Sequence, residues 1–359
     1  MKTPDEVQRA IKRGEIIEDV TLNHHDFSGL DLAGGCFVGV DLTGARFSGC
    51  NLHETQFSEC NLRGSDFSGL SMQQTFFNQC MMTGALFTQC ELAECLFNGC
   101  QLDESQFTES VQVQTQFISG SLNDSHFHQA GMKQCAFTDV TLRNAQLSAT
   151  LCEQITFMNS DLRSTQFTKA EITLSTFFAC DLRLQNFAEL AFHQCQFTDS
   201  QLAGVNFHRA TLTQCNFMNA DLHQATLTHC NASQCLFNAA DLTGSDCRYS
   251  NFSHTNFTAA TLTGCDVSHS NLQHGILQRA NAVQAQFVGC TLNYADCSYA
   301  QLDEAQFSDS AFEHTLLHRA SLEQSHFTSR HGIIEKDEAL YEVEEWSAKR
   351  AQPSQARDQ

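Results

Sequence analysis

Apolar residues recur at every fifth position of this chain. From Leu22 to Phe327, 51 of the 62 positions at that spacing are Leu or Phe. The exceptions are Met72, Met82, Gln112, Met132, Cys152, Ile172, Ala232, Cys247, Val267, Ala282 and Cys297, and only Gln112 is strongly polar. A second rule holds two residues earlier, where 56 of 62 positions are Ala, Ser, Thr, Cys, Gly or Val. The register never slips. Period five fits neither a helix face at 3.6 nor a strand at 2. A repeated quarter-turn accommodates it: four units close a square coil of about 20 residues, with Leu or Phe pointing inward and a small inward residue near each corner. Successive coils then pair as parallel strands, and the 62 units make about 15 coils and a rod of roughly 75 Å at ~4.8 Å per coil.

Leu and Phe alternate from unit to unit, so two opposite walls are expected to be mostly Leu and two mostly Phe. Identical side chains should stack along the axis, as in the series Phe27, Phe47, Phe67, Phe87, Phe107 and Phe127. Both prolines, Pro4 and Pro353, lie at the chain ends, as expected where most backbone N–H groups donate to a ladder.

Units such as Asp41-Leu42-Thr43-Gly44, Asp161-Leu162-Arg163-Ser164, Asp241-Leu242-Thr243-Gly244 and Asn61-Leu62-Arg63-Gly64 resemble the pentapeptide-repeat proteins, whose motif is A(D/N)Lxx. The resemblance covers residues 20–329. It implies an all-β fold, a right-handed quadrilateral parallel β-helix, with short helical N- and C-terminal segments.

The ends read differently. Residues 1–19 are expected to form a helical cap: Thr3 and Glu6 have capping-box spacing, Pro4 suits the first helical position, and Gly14 can end the helix. Val7 and Ile11 would cover the first coil. Residues 330–350 are expected to hold a second helix. There Leu340, Val343 and Trp346 fall on one face, with Tyr341 beside them. That face is either a cap on the last coil or a contact for a dimer or partner. Residues 351–359 are expected to be a disordered tail. Inside the array, Val111-Gln112-Val113 reverses the usual order; either the chain bulges to turn a valine inward, or Gln112 is buried and satisfied.

Eighteen cysteines invite a metal or redox reading. Fourteen occupy the small inward position, three the central one, and Cys36 lies outside both. No C-x-x-C pair exists, so zinc has no support, and buried free thiols acting as small hydrophobes account for the placement. Histidines such as His53, His128, His208, His254 and His318 are expected to be solvated, without a cluster. Glu91, Glu94, Asp103, Glu104 and Glu109 form one denser run of acids, and Asp303, Glu304, Asp309 and Glu313 another. No phosphate loop, nucleophile elbow or H-E-x-x-H occurs, so no catalytic, cofactor-binding or metal-binding residue is expected.

A net charge of −21 disfavours nucleic acid and anionic lipid as partners. The start carries no signal peptide and no segment has the length of a membrane span, so a cytoplasmic protein is expected. These features point to a non-enzymatic scaffold or adaptor with protein partners, with a homodimer through the C-terminal helix as one form. The family resemblance implies two sharper readings. Long Leu/Phe/Cys-rich arrays accompany bacterial secretion machinery as accessory or delivered proteins. Quinolone-resistance members present an acidic, DNA-like rod to topoisomerases; here the length, the lack of loops and the sparse acids count against that.

Overall fold

A computed structural model describes residues 3–351. Helix α1 spans Pro4–Lys12, helix α2 spans Glu338–Ala351, and a parallel β-solenoid lies between them. Up to the final rung each coil pairs with the next at an offset of 20 residues: Phe37 with Phe57, Phe57 with Phe77, Met132 with Cys152. An offset of 20 over units of five gives four walls, named here by their first inward residues: Leu22, Phe27, Leu32 and Phe37.

The Phe37 wall begins one unit earlier than the five-residue rule required. Ile17 is fully buried and pairs with Phe37. At 20-residue steps the wall therefore has sixteen inward residues, from Ile17 to Leu317, all buried. At the other end the final rung is short, since Thr315 pairs with Ile333 at an offset of only 18. Over the Phe37 wall a continuous nine-stranded sheet runs from Ile17–Glu18 to Thr176–Phe178, and over the Leu32 wall a seven-stranded sheet runs from Ser71–Gln73 to Ala191–His193. The other two walls are held by single-residue bridges such as Asp41↔Asn61 and Arg46↔Asp66, apart from a two-residue pairing of Gln306–Phe307 with His326–Phe327 at the end of the Phe27 wall.

The physical basis of each corner is visible in one unit. The Ala45 N–H donates to the Leu42 carbonyl at 2.9 Å, closing a turn over Thr43 and Gly44. The last turn residue is left-handed, at φ +63° for Gly44. Most corners use Gln, Asn, Asp, Glu or His instead, at φ between 47° and 64° for non-glycine residues; of these, Asn, Asp and His enter this region more readily than other side chains. Asp41 supports its turn by accepting from the Thr43 N–H at 3.1 Å and the Thr43 hydroxyl at 2.6 Å. The small inward residue has a bonding role too. Thr55 Oγ1 donates to the Leu32 carbonyl (3.0 Å), Ser65 Oγ to Leu42 (2.9 Å) and Cys80 Sγ to Phe57 (3.4 Å). Ser, Thr and Cys thus interchange at this position because each fits beside the corner and donates to a backbone carbonyl, of the preceding coil in these cases and of the same turn at Ser105 and Ser110.

The core is one column. Phe rings stack along each Phe wall, as for Phe47 and Phe67 at 4.7 Å and 1°. Rings from the two opposite Phe walls meet edge to face, as for Phe87 and Phe97 at 5.6 Å and 90°. Both arrangements suit the ring quadrupole.

At the N-terminus the capping box forms as expected, with both Thr3–Glu6 bonds in place. Val7, Ala10 and Ile11 are buried against the first coil. The bulge at residues 111–113 does not form. The ladder stays in register from Leu92 to Gln112 to Met132, Val111 is exposed and Gln112 is fully buried. A one-residue slip would have turned every downstream side chain to the opposite face. Gln112 is only half satisfied: Nε2 donates to Ser110 Oγ at 3.1 Å, while Oε1 has no partner. The expected tail lies, beyond Ala351, outside the described residues.

Candidate interaction surfaces

The four walls differ chemically on the outside. The Leu22 wall carries an Arg–Asp ladder, in which Arg163 pairs with Asp161 (2.9 Å) and Asp181 (3.3 Å), and Arg183 with Asp181 (2.6 Å). Leu184 stands at the neighbouring corner, 80% exposed and left-handed at φ +61°. With Arg163, Arg183 and His223 it lines an open groove of about 310 Å³. The Phe27 wall is polar, with Asp246, Arg248 and Asp266 clustered. The Leu32 wall bears Lys133 on Glu153 at 2.9 Å. The Phe37 wall is uncharged over a long stretch.

The two runs of acids do not form two patches. Twenty residues complete one circuit, so neighbours in sequence are dispersed around the rod. Glu94, Glu104 and Glu109 occupy three different corners, and so the acids of the first run face in several directions.

Histidines depart from expectation in two ways. His318 is fully buried beneath α2. Its Nδ1 accepts from the Asp337 N–H at 3.2 Å, which leaves Nε2–H to donate to Glu344 at 3.3 Å. Other histidines stack with tyrosines at two corners: His229–Tyr249–His269 with centroids 5.1 and 5.0 Å apart, and His254–His274–Tyr294–His314 at 4.7, 5.1 and 5.4 Å. An Asn251–Asn231 bond of 3.0 Å and an Asn271–Asn251 bond of 3.3 Å lie on the wall between them. The signal in the sequence was aromatic or imidazole residues recurring at 20-residue steps. Stacked rings offer their edges outward, so these ladders are not platforms for a flat ligand.

Helix α2 holds the four C-terminal residues singled out above. Asp337 Oδ1 accepts the Leu340 N–H at 3.0 Å at its start. Tyr341 is half-buried, with Lys336 Nζ 3.8 Å and Arg319 4.9 Å from its ring. Glu344 anchors the helix to the solenoid through Tyr299, His318 and Arg319. The hydroxyl of Tyr299, then Arg319 and His318, hold the Glu344 carboxyl below the usual range. Leu340, Val343 and Trp346 do not cap the last coil. They are 37%, 61% and 57% exposed, because the helix is attached by its polar side. Phe312, Leu322 and Phe327 of the last coil remain only partly buried, in contrast to the closed N-terminal end.

Seventeen of the eighteen cysteines are buried free thiols, and Cys36 is partly exposed. Burial pushes Cys135 up to about 11 and Cys90, Cys152 and Cys180 up to about 12. Among the described residues no group of three or more His, Cys, Asp or Glu is placed to hold a metal ion, and no helix is long and apolar enough to cross a membrane.

A sequence model of pentapeptide repeats matches residues 18–49, 26–64, 45–84, 195–234, 235–273 and 277–309, and a second, for a pentapeptide repeat region, matches 70–147. Together they span more than half of the sequence. The chain belongs to the pentapeptide-repeat family. Among solved structures, this pentapeptide-repeat protein is similar to full-length QnrB1, a plasmid-mediated fluoroquinolone resistance protein, at 17% identity over 60% of this chain and 100% of that one, with a TM-score of 0.31. It is also similar to HetL of the cyanobacterium Nostoc, involved in heterocyst differentiation regulation, at 21% identity over 84% and 97%, with a TM-score of 0.15. A thylakoid-lumen pentapeptide-repeat protein of Arabidopsis thaliana matches at 23% identity over 35% and 66%, with a TM-score of 0.15. Nothing matches among the curated proteins.

Proposed function

We propose that this pentapeptide-repeat protein is a non-enzymatic rigid adaptor that docks a protein through the exposed face of α2. The observation that carries this reading is the attachment of α2 by Glu344 on one side and the exposure of Leu340, Val343 and Trp346 on the other. A tryptophan buried at the middle of an interface commonly carries much of its binding energy, and neighbours such as Leu340 and Val343 keep water from it. A helix already anchored loses little freedom on binding. Catalysis is not favoured, since the grooves that the described residues form on the walls are open to solvent rather than enclosing. The partner is a second copy, meeting end to end, or another protein; an accessory role beside bacterial secretion machinery is one setting for such an adaptor.

The DNA-mimic alternative is less well supported. A mimic needs its acids in continuous tracks, and here they are scattered over corners and interleaved with Arg163, Arg183 and Arg248.

Affinity capture from the source cells with the full chain tests the reading. A partner retained by the wild type and lost with Val343→Asp/Trp346→Ala supports it. Equal capture by both chains contradicts it. A supercoiling assay with DNA gyrase should show no effect at micromolar protein; inhibition would favour the mimic.

A further inference from the structure

The outer surface of the Phe37 wall has a composition found on no other wall. Its outward positions are the residues flanking each inward residue, for example Gln116 and Ile118 around Phe117. From Cys36 to Gln278 there are thirteen coils with two such positions each. None of these 26 is Asp, Glu, Lys, Arg or His, in a chain of net charge −21. Each of the other three walls carries charged side chains over the same coils.

Eleven of these 26 residues are apolar, and the other fifteen are Asn, Gln, Ser or Thr. Twenty-seven of the 29 phenylalanines occupy inward repeat positions, and the remaining two, Phe76 and Phe178, both lie outward here. They are 36% and 37% exposed. Met218, Leu236 and Ile276 are exposed on the same strip. Beneath the strip's first half the backbone is the continuous nine-stranded sheet.

We infer that this wall is a pairing surface for a second copy of the chain, packed side by side. The occupant follows from charge and size. A partner that placed an ionised group against this wall would bury it with nothing to pair it. Two copies of so acidic a protein repel one another by every charged wall; here the carboxylates of the other three walls stay solvated. Rim acids such as Glu94 and Asp139 sit at the corners, outside the contact. The surface that matches an uncharged strip of this length is the same strip on another copy. Such a contact is isologous and closes as a dimer. Twelve coil spacings at ~4.8 Å and three residues of width at ~3.3 Å give roughly 600 Å² per copy. The total of about 1,200 Å² reaches the range of specific interfaces. This inference is independent of docking by α2.

Sedimentation equilibrium and small-angle scattering of the full chain at tens of micromolar test it. The expected particle has twice the mass of one chain, twice its cross-section and nearly its length. Met158→Glu/Phe178→Glu, both outward on this wall, should weaken association at least tenfold with an unchanged circular dichroism spectrum. Thr138→Glu/Met218→Glu should do the same if the first pair perturbs folding. Ser148→Glu/Thr168→Glu, which adds equal charge to the opposite wall, should leave the dimer intact. So should Val343→Asp/Trp346→Ala, which separates this contact from an end-to-end one. A monomeric wild type, a dimer of doubled length, or a dimer indifferent to charge on this wall would overturn the inference.

Discussion

Phe97 meets Phe107 edge to face, with 6.2 Å between ring centroids and 88° between planes. The two rings come from opposite walls. Each also stacks along its own wall, Phe97 on Phe117 at 4.9 Å and Phe107 on Phe87 at 4.8 Å. One substitution therefore breaks contacts in both directions. Phe107→Ala should destabilise by about 3–5 kcal/mol, the usual range for a buried Phe. Phe327→Ala, at the half-buried end, should cost clearly less. Chemical denaturation of the two variants checks the order; equal losses would mean that the column does not transmit packing between coils.

Gln112 presents the reverse case. Its Oε1 is buried without a partner between Leu92 and Met132 of the adjacent coils. An unsatisfied buried polar atom costs about 1–3 kcal/mol. Gln112→Leu should raise stability by roughly that amount, because Ser110 Oγ keeps its 2.7 Å bond to the Phe107 carbonyl. A destabilised Gln112→Leu variant would show that the amide is better satisfied than the geometry indicates.

The thiols should be nearly inert in the folded protein. At pH 8 a thiol reagent should label Cys36 quickly and the seventeen buried cysteines only after denaturation. Stability should fall under alkaline conditions. A thiol whose folded value is raised is protonated in both states below the ordinary value, and no stability is lost there. Above about pH 9 the unfolded chain ionises first, while Cys90, Cys135 and Cys180 stay protonated up to about 11 or 12. The loss should accumulate through that window, and a flat profile from pH 9 to 11 would contradict the buried placement.

Glu344 makes the opposite prediction. Its carboxyl is held below the usual range, so the anchor of α2 is complete at neutral pH and is lost as pH falls through the lowered value. Glu344→Ala should release α2 at neutral pH. Limited proteolysis should then cut near Lys336 while the solenoid melts at an unchanged temperature. Resistance of this variant would place the attachment elsewhere.

The fold was legible because the repeat is local: every quintet writes the same inward residue, and one unit is enough to read it. The thirteen-coil uncharged strip, the His–Tyr ladders and the dispersal of Glu94, Glu104 and Glu109 are properties of residues 20 apart, and appear only when the circuit length is used to arrange the outward positions. His318 could not be read as buried, since an outward residue of the solenoid is covered only when α2 folds over it. The face of α2 was recognised from its spacing, but its direction was decided by Glu344, whose three partners lie 25, 26 and 45 residues away. Gln112 shows the priority of register: the ladder holds even where one inward side chain is poorly suited to it.

The solenoid is a straight four-walled column filled by Leu and Phe. Small-angle scattering under conditions that isolate the monomer tests it most directly. The expected particle is elongated and of constant cross-section, with the solenoid spanning about 72 Å from fifteen spacings of ~4.8 Å. A scattering profile of a compact sphere of equal mass would contradict it.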